Sequence, residues 1–139
     1  MIKKALAALV ASAVMLAPAA TATAAEGTGQ ARAAKAVTGT WKGAVYGDAG
    51  GSAGYPAKVK ITKSDGKLRG KVTYPGVCSG KWVFRGKKSG WFTFREVITR
   101  GSGCVSPVSV KVRRDGKRLK VVWREPKTGD TASMRARRT

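Results

Sequence analysis

The sequence predicts an all-β protein, a single eight-stranded antiparallel up-and-down barrel. Three observations predict it. From Trp41 onward apolar residues alternate with lysine or arginine, as in Lys58-Val59-Lys60-Ile61 and Val108-Ser109-Val110-Lys111-Val112-Arg113, which is the period of a strand with one buried and one wet face. Clusters of Gly, Pro, Asp and Ser cut this pattern into eight runs joined by short connections, and connections that short make neighbouring strands antiparallel. No segment after residue 25 repeats at helical spacing. Closing eight such strands removes the sheet edges, and a barrel of that size is filled by its own side chains or holds one small ligand.

The elements follow in order. Lys3 and Lys4, the apolar run Ala5 to Ala17 and the small residues Ala22-Thr23-Ala24-Ala25 read as a signal peptide over residues 1–25, so a secreted, extracytoplasmic protein is expected. The apolar run is shorter than the roughly 20 residues of a membrane span, so no integral span is expected in the mature form. Residues 26–38 are Gly, Ala, Thr and Lys without a hydrophobic period and read as a flexible lead-in to a barrel domain over 39–137.

The first strand is expected at Thr40 to Tyr46, before the glycine-rich loop Gly47 to Gly54. The second runs from Ala57 to Lys63 and ends in Ser64-Asp65-Gly66-Lys67, a hairpin signal. The third spans Leu68 to Tyr74 and stops at Pro75-Gly76. The fourth, Gly80 to Arg85, turns at Gly86 to Gly90 into the fifth, Trp91 to Arg100. After Gly101-Ser102-Gly103 come Pro107 to Arg114, then Arg118 to Glu125, then Thr131 to Arg137, separated by Asp115-Gly116 and by Pro126 to Asp130.

The alternation assigns an interior: Trp41, Val45, Val59, Ile61, Leu68, Val72, Tyr74, Trp82, Phe84, Phe92, Phe94, Ile98, Val108, Val110, Val112, Leu119, Val121 and Trp123. Large aromatics in this set favour a filled barrel over a hollow one. Glu96 falls on the same phase as Phe94 and Ile98. A buried carboxylate must be paired, hydrogen-bonded or protonated. A structural salt bridge inside the barrel, or a bulge that turns Glu96 outward, is favoured over a ligand-coordinating or catalytic role.

The outward phase is cationic. The chain carries 28 basic and 7 acidic residues, +21 overall. Without residues 1–25 it keeps 26 basic and 7 acidic residues, or +19. A magnitude of roughly 2–8 suffices for solubility, and self-repulsion beyond it costs stability, so an anionic partner is the physical reason to expect. Lys58, Lys60, Arg69 and Lys71 should form one stripe on the second and third strands, and Lys111, Arg113, Lys120 and Arg124 another on the sixth and seventh. Lys87 and Lys88 extend them at a turn. Trp91, outward beside Lys88, either stacks on a base or sugar or caps the barrel end.

Cys78 precedes the fourth strand and Cys104 follows the fifth, ends that lie side by side in an antiparallel pair. Export makes their disulfide the default, closing about 27 residues and adding roughly 3–4 kcal/mol. The chain has no histidine, which removes the usual general base and the common zinc ligand. Asp48, Asp65, Asp115 and Asp130 sit in loops and turns, and nothing draws Glu96 and Glu125 together as a glycosidase pair. The expectation is a non-catalytic, monomeric binding module without cofactor or metal. Its partner would be an anionic polymer or cell-surface component (teichoic acid, nucleic acid or anionic lipid). The alternatives are a protein-interaction or inhibitor domain acting through loops, and a barrel for a small ligand.

Gly39-Thr40-Trp41, Tyr55-Pro56, Gly70 to Pro75, Cys78-Ser79-Gly80, Glu96-Val97-Ile98, Gly103-Cys104-Val105 and Trp123 follow one another in a characteristic order. In this the chain resembles the small extracytoplasmic β domain at the C-terminus of some actinobacterial serine/threonine protein kinases, and of small exported proteins from such bacteria. The resemblance covers about residues 39–125. It implies a bridged Cys78–Cys104 pair and an external sensing or binding role; no kinase motif accompanies it. Lys and Arg stand at outward positions where Thr or Ser would be expected. Gly39-x-Trp41 with a late arginine, for which Arg124 is the candidate, is also similar to the lipocalin-like short barrels.

Overall fold

A computed structural model describes residues 23–47 and 54–139. One helix, α1 (Thr23–Val37), precedes eight strands: β1 (Gly39–Gly47), β2 (Tyr55–Ser64), β3 (Lys67–Tyr74), β4 (Cys78–Lys88), β5 (Trp91–Gly101), β6 (Val108–Asp115), β7 (Arg118–Arg124) and β8 (Thr131–Arg138). Each strand pairs antiparallel with the next, and β1 also pairs with β8, so the sheet is a closed barrel with no free edge. The expected strands match the observed ones to within three residues at each end. The signal-peptide reading falls mainly on residues 1–22, and the glycine-rich loop mainly on 48–53, which lie outside the described residues.

Register follows from turn chemistry. In the β2–β3 hairpin Asp65 and Gly66 take φ values of 51° and 74°, the paired left-handed conformation that a two-residue hairpin of matching twist requires. Lys60 then faces Lys71, and Val59 faces Val72, on opposite sides of the sheet. The register between β4 and β5 shifts twice, at Ser79/Gly80 and Phe84/Gly86. At Gly80 a Cβ would run into the Val97 carbonyl, so glycine lets the two strands close up beside the first shift.

The interior is filled. Trp41, Trp82, Phe94, Ile61, Leu119 and Met134 are among its largest fully buried side chains. Sixteen of the eighteen residues assigned inward from the alternation are buried, and Phe84 and Ile98 are partly buried against the same cluster. Ala57, Met134 and Ala136 join them.

The stretch 26–38 differs from its expectation. It holds most of α1, a helix where the sequence pattern suggested a lead-in without regular structure. The helix has almost no amphipathic signature, because alanine is its commonest residue. Ala34 and Val37, three positions apart on one face, are 8% and 1% exposed where they close one end of the barrel. The indole Nε1 of Trp41 donates to the Val37 carbonyl at 2.9 Å. Arg138 donates to the carbonyls of Thr38 (2.7 Å) and Ala36 (3.3 Å), satisfying groups at the helix C-terminus.

Candidate functional site

The outer wall carries the basic residues as expected, but its two stripes are unequal. Across β2, β3 and β4 the register places Lys60, Lys71 and Lys81 in one row, and Arg69 lies one row over, opposite Thr62 and Val83. Lys58 faces Thr73 on one side and Lys42 on the other. Like charges directly opposite one another destabilise a sheet. A groove of about 770 Å³ runs over this wall, and its lining includes six cations, Lys60, Lys67, Arg69, Lys71, Lys81 and Arg85, and no acid.

The β6–β7 stripe is more diluted. Arg113 faces Lys120, but Lys111 faces Val122 and Arg124 faces Ser109. Arg135, opposite Lys120 on β8, is neutralised by Asp115 at 2.6 Å, the one ion pair between described residues. Trp91 pairs with Lys88 at the start of β5 and lies on the outer wall, partly exposed. Its ring already carries Lys111 Nζ at 4.8 Å and the Arg113 guanidinium at 4.4 Å, so a base stacking there would compete with them. Lys87 turns back over Phe92, 5.1 Å from the ring centre. Arg124 does not pack on Trp41; that place is taken by Arg138 (4.4 Å) and Arg114 (4.9 Å), which reach the ring at the helix-capped end, whereas Arg124 sits at the other end.

Among the described residues, no helix caps that other end. β2 and β8 begin there and β3 and β7 finish there. The segment after β5, from Ser102 to Val105, folds as a strap that the Cys78–Cys104 disulfide pins to the start of β4. Together they enclose a pocket of about 540 Å³. Aromatic Tyr55, Tyr74 and Trp123 and apolar Val77, Val105, Val108 and Ala132 line it, with Glu96, Glu125 and Asp130.

Glu96 is 3% exposed and points inward, which corrects both structural expectations: it is neither turned out by a bulge nor paired with a base. Its partners are neutral. Tyr74 Oη donates at 3.1 and 3.0 Å to the two carboxylate oxygens; Trp82 Nε1 donates at 2.6 Å and Trp123 Nε1 at 2.9 Å, both to Oε2. Burial pushes the Glu96 carboxyl above the usual range, and the three donors pull it back part of the way. Burial and the Glu96 charge push the Tyr74 phenol far up, and Tyr55 upward as well. An indole N–H can only donate, so both tryptophans require a bare oxygen at Oε2. Trp82 reaches it because β3 has a glycine beneath the ring: a Cβ on Gly70 would sit 2.8 Å from Trp82 Cβ. Sequence reasoning singled out Glu96 but not its donors, which arrive from three other strands.

Compared with known proteins, the chain matches no family model, no curated protein and no solved structure. The disulfide is compatible with an oxidising, extracellular environment. Among the described residues no helix is long and apolar enough to cross a membrane.

Proposed function

We propose that the protein is a secreted, non-catalytic module that binds an anionic polymer, with the β2–β4 wall as its contact surface. The observation that carries this reading is the groove lined by six cations without an acid. Directly opposed lysines oppose folding, and a bound polyanion converts that repulsion into attraction. Four of the six are lysines, compact charges without the planar fork that selects one bidentate group, which suits a repeating anion rather than a single compact one. Binding of this kind is electrostatic and weakens steeply with salt.

The test is titration with teichoic acid, single-stranded DNA and anionic vesicles over a range of salt, comparing the unsubstituted protein with the triple variant Lys60→Glu, Lys71→Glu, Lys81→Glu and a control, Lys111→Glu with Arg113→Glu. One polymer is expected to bind well above the others, with a loss of at least about tenfold in the triple variant and a smaller loss in the control. Weak and equal binding to all three polymers would make the charge generic and direct attention to a protein partner.

A further inference from the structure

We propose that the pocket at the disulfide-bridged end of the barrel binds a small organic cation, an ammonium or guanidinium group on an apolar body, with the Glu96 carboxylate as its counter-ion. This site lies apart from the basic wall and does not rest on the polyanion reading.

Charge distribution is the first observation. The chain has 28 basic residues, yet among the described residues no Lys or Arg lines this pocket, while Glu96, Glu125 and Asp130, three of its seven acidic residues, do. Such a concentration of acids runs against the whole composition. The surrounding positive field is screened beyond about 8 Å at physiological salt, whereas charges inside a low-dielectric pocket are screened far less.

The second observation is the state of Glu96 itself. All its hydrogen-bond donors are neutral, so its charge is solvated but not neutralised. The donors are also unevenly shared. Oε2 receives all three, while Oε1 receives the Tyr74 hydroxyl and keeps acceptor capacity for a further donor. The tryptophans hold the carboxylate rigidly, so a cation meets a preorganised partner.

The third is the wall. Tyr55, Tyr74 and Trp123 line the pocket, and an ammonium or guanidinium gains from both an aromatic ring and a carboxylate. Val105 and Val108 suit an apolar body. Tyr55, Val77 and Val105 are about half exposed (48%, 53% and 54%), leaving an apolar rim that a ligand would cover. About 540 Å³ lies within the range of small-molecule sites. A bare metal ion fits less well, because among the described residues no three His, Cys, Asp or Glu groups come close enough to hold one.

The test uses the protein labelled for NMR, with the four indole N–H signals as reporters, and three probes of similar shape: phenethylamine, phenethyl alcohol and hydrocinnamate. The amine is expected to shift the Trp82 and Trp123 indole signals saturably, and to bind at least about tenfold more tightly than the alcohol, while Trp41 at the capped end and Trp91 on the outer wall stay in place. In Glu96→Gln the preference for the amine over the alcohol should disappear. Equal binding of amine and alcohol, tighter binding of hydrocinnamate, shifts centred on Trp91, or no shift at all would overturn the proposal. So would an unchanged preference in Glu96→Gln. The comparison of probes is made on the unsubstituted protein and decides even where the variant fails to fold.

Discussion

At the scale of single residues, Glu96 shows how a buried charge is kept without a salt bridge. Three neutral donors hold it, so truncation and amide substitution should differ sharply. Glu96→Ala leaves Tyr74, Trp82 and Trp123 without their acceptor and should cost about 3 kcal/mol or more; Glu96→Gln keeps an oxygen for the two indoles and should cost less than half of that. Urea midpoints of the two variants check this, and equal losses would mean that the donors find other partners. The pH dependence has a definite sign. The native carboxyl titrates above its ordinary value of 4.5, so the folded state holds the proton more tightly than the unfolded chain. The Glu96 contribution to stability is therefore fullest below about pH 4.5 and is lost as pH rises through the native value. Subtracting the stability–pH curve of Glu96→Gln from that of the unsubstituted protein should leave this falling step; a rising difference would contradict the raised pKa. The inward phase of Glu96 was legible from the alternation with Phe94 and Ile98. Its donors were not, because they stand 22, 14 and 27 positions away on strands whose relative stagger no local pattern specifies.

At the scale of elements, the strands were legible because each combines a period of two with turn residues at its ends, two signals that agree. Met134 and Ala136 escaped because β8 sets them among Arg and Ser, where a period defined by large apolar residues is faint. The helix escaped for another reason: it is held by where it docks, not by its pattern. Val37→Asp tests that docking. In a flexible lead-in the change would fall within about 0.5 kcal/mol, whereas against the barrel end it should cost about 2–4 kcal/mol and shift Trp41 emission to longer wavelength. The Cys78–Cys104 bridge was legible from the adjacency of two strand ends. What the sequence did not convey is that the bridged strap forms a wall of the pocket. Reduction should lower stability by roughly 3–4 kcal/mol, read from denaturation with and without reductant. It should also weaken phenethylamine binding before the barrel unfolds.

At the scale of the whole molecule, net charge and fold work against each other. Rows of opposed lysines make the barrel less stable than its core would allow, so added salt should raise the thermal midpoint as the Debye length shrinks from about 30 to about 8 Å. A flat response in sodium chloride would mean that the wall is already neutralised by bound anions. The sign of the wall was legible from composition, but its concentration on β2–β4 depended on the stagger that brings Lys81 beside Lys71. The closure of the barrel carries one more consequence. Because β1 and β8 pair, the two ends of the folded body meet: Trp41 lies opposite Arg138, and the Thr139 amide donates to the Thr40 carbonyl at 3.0 Å. The barrel's first strand thus begins, and its last strand ends, at the helix-capped end, and the Glu96 pocket lies at the far end of the strands. A partner fused after Thr139 would sit at the helix-capped end and leave the Glu96 pocket pointing away from it. Linking the end of β8 to the start of β1 and reopening the chain at another turn should preserve the barrel, with a linker of only a few residues.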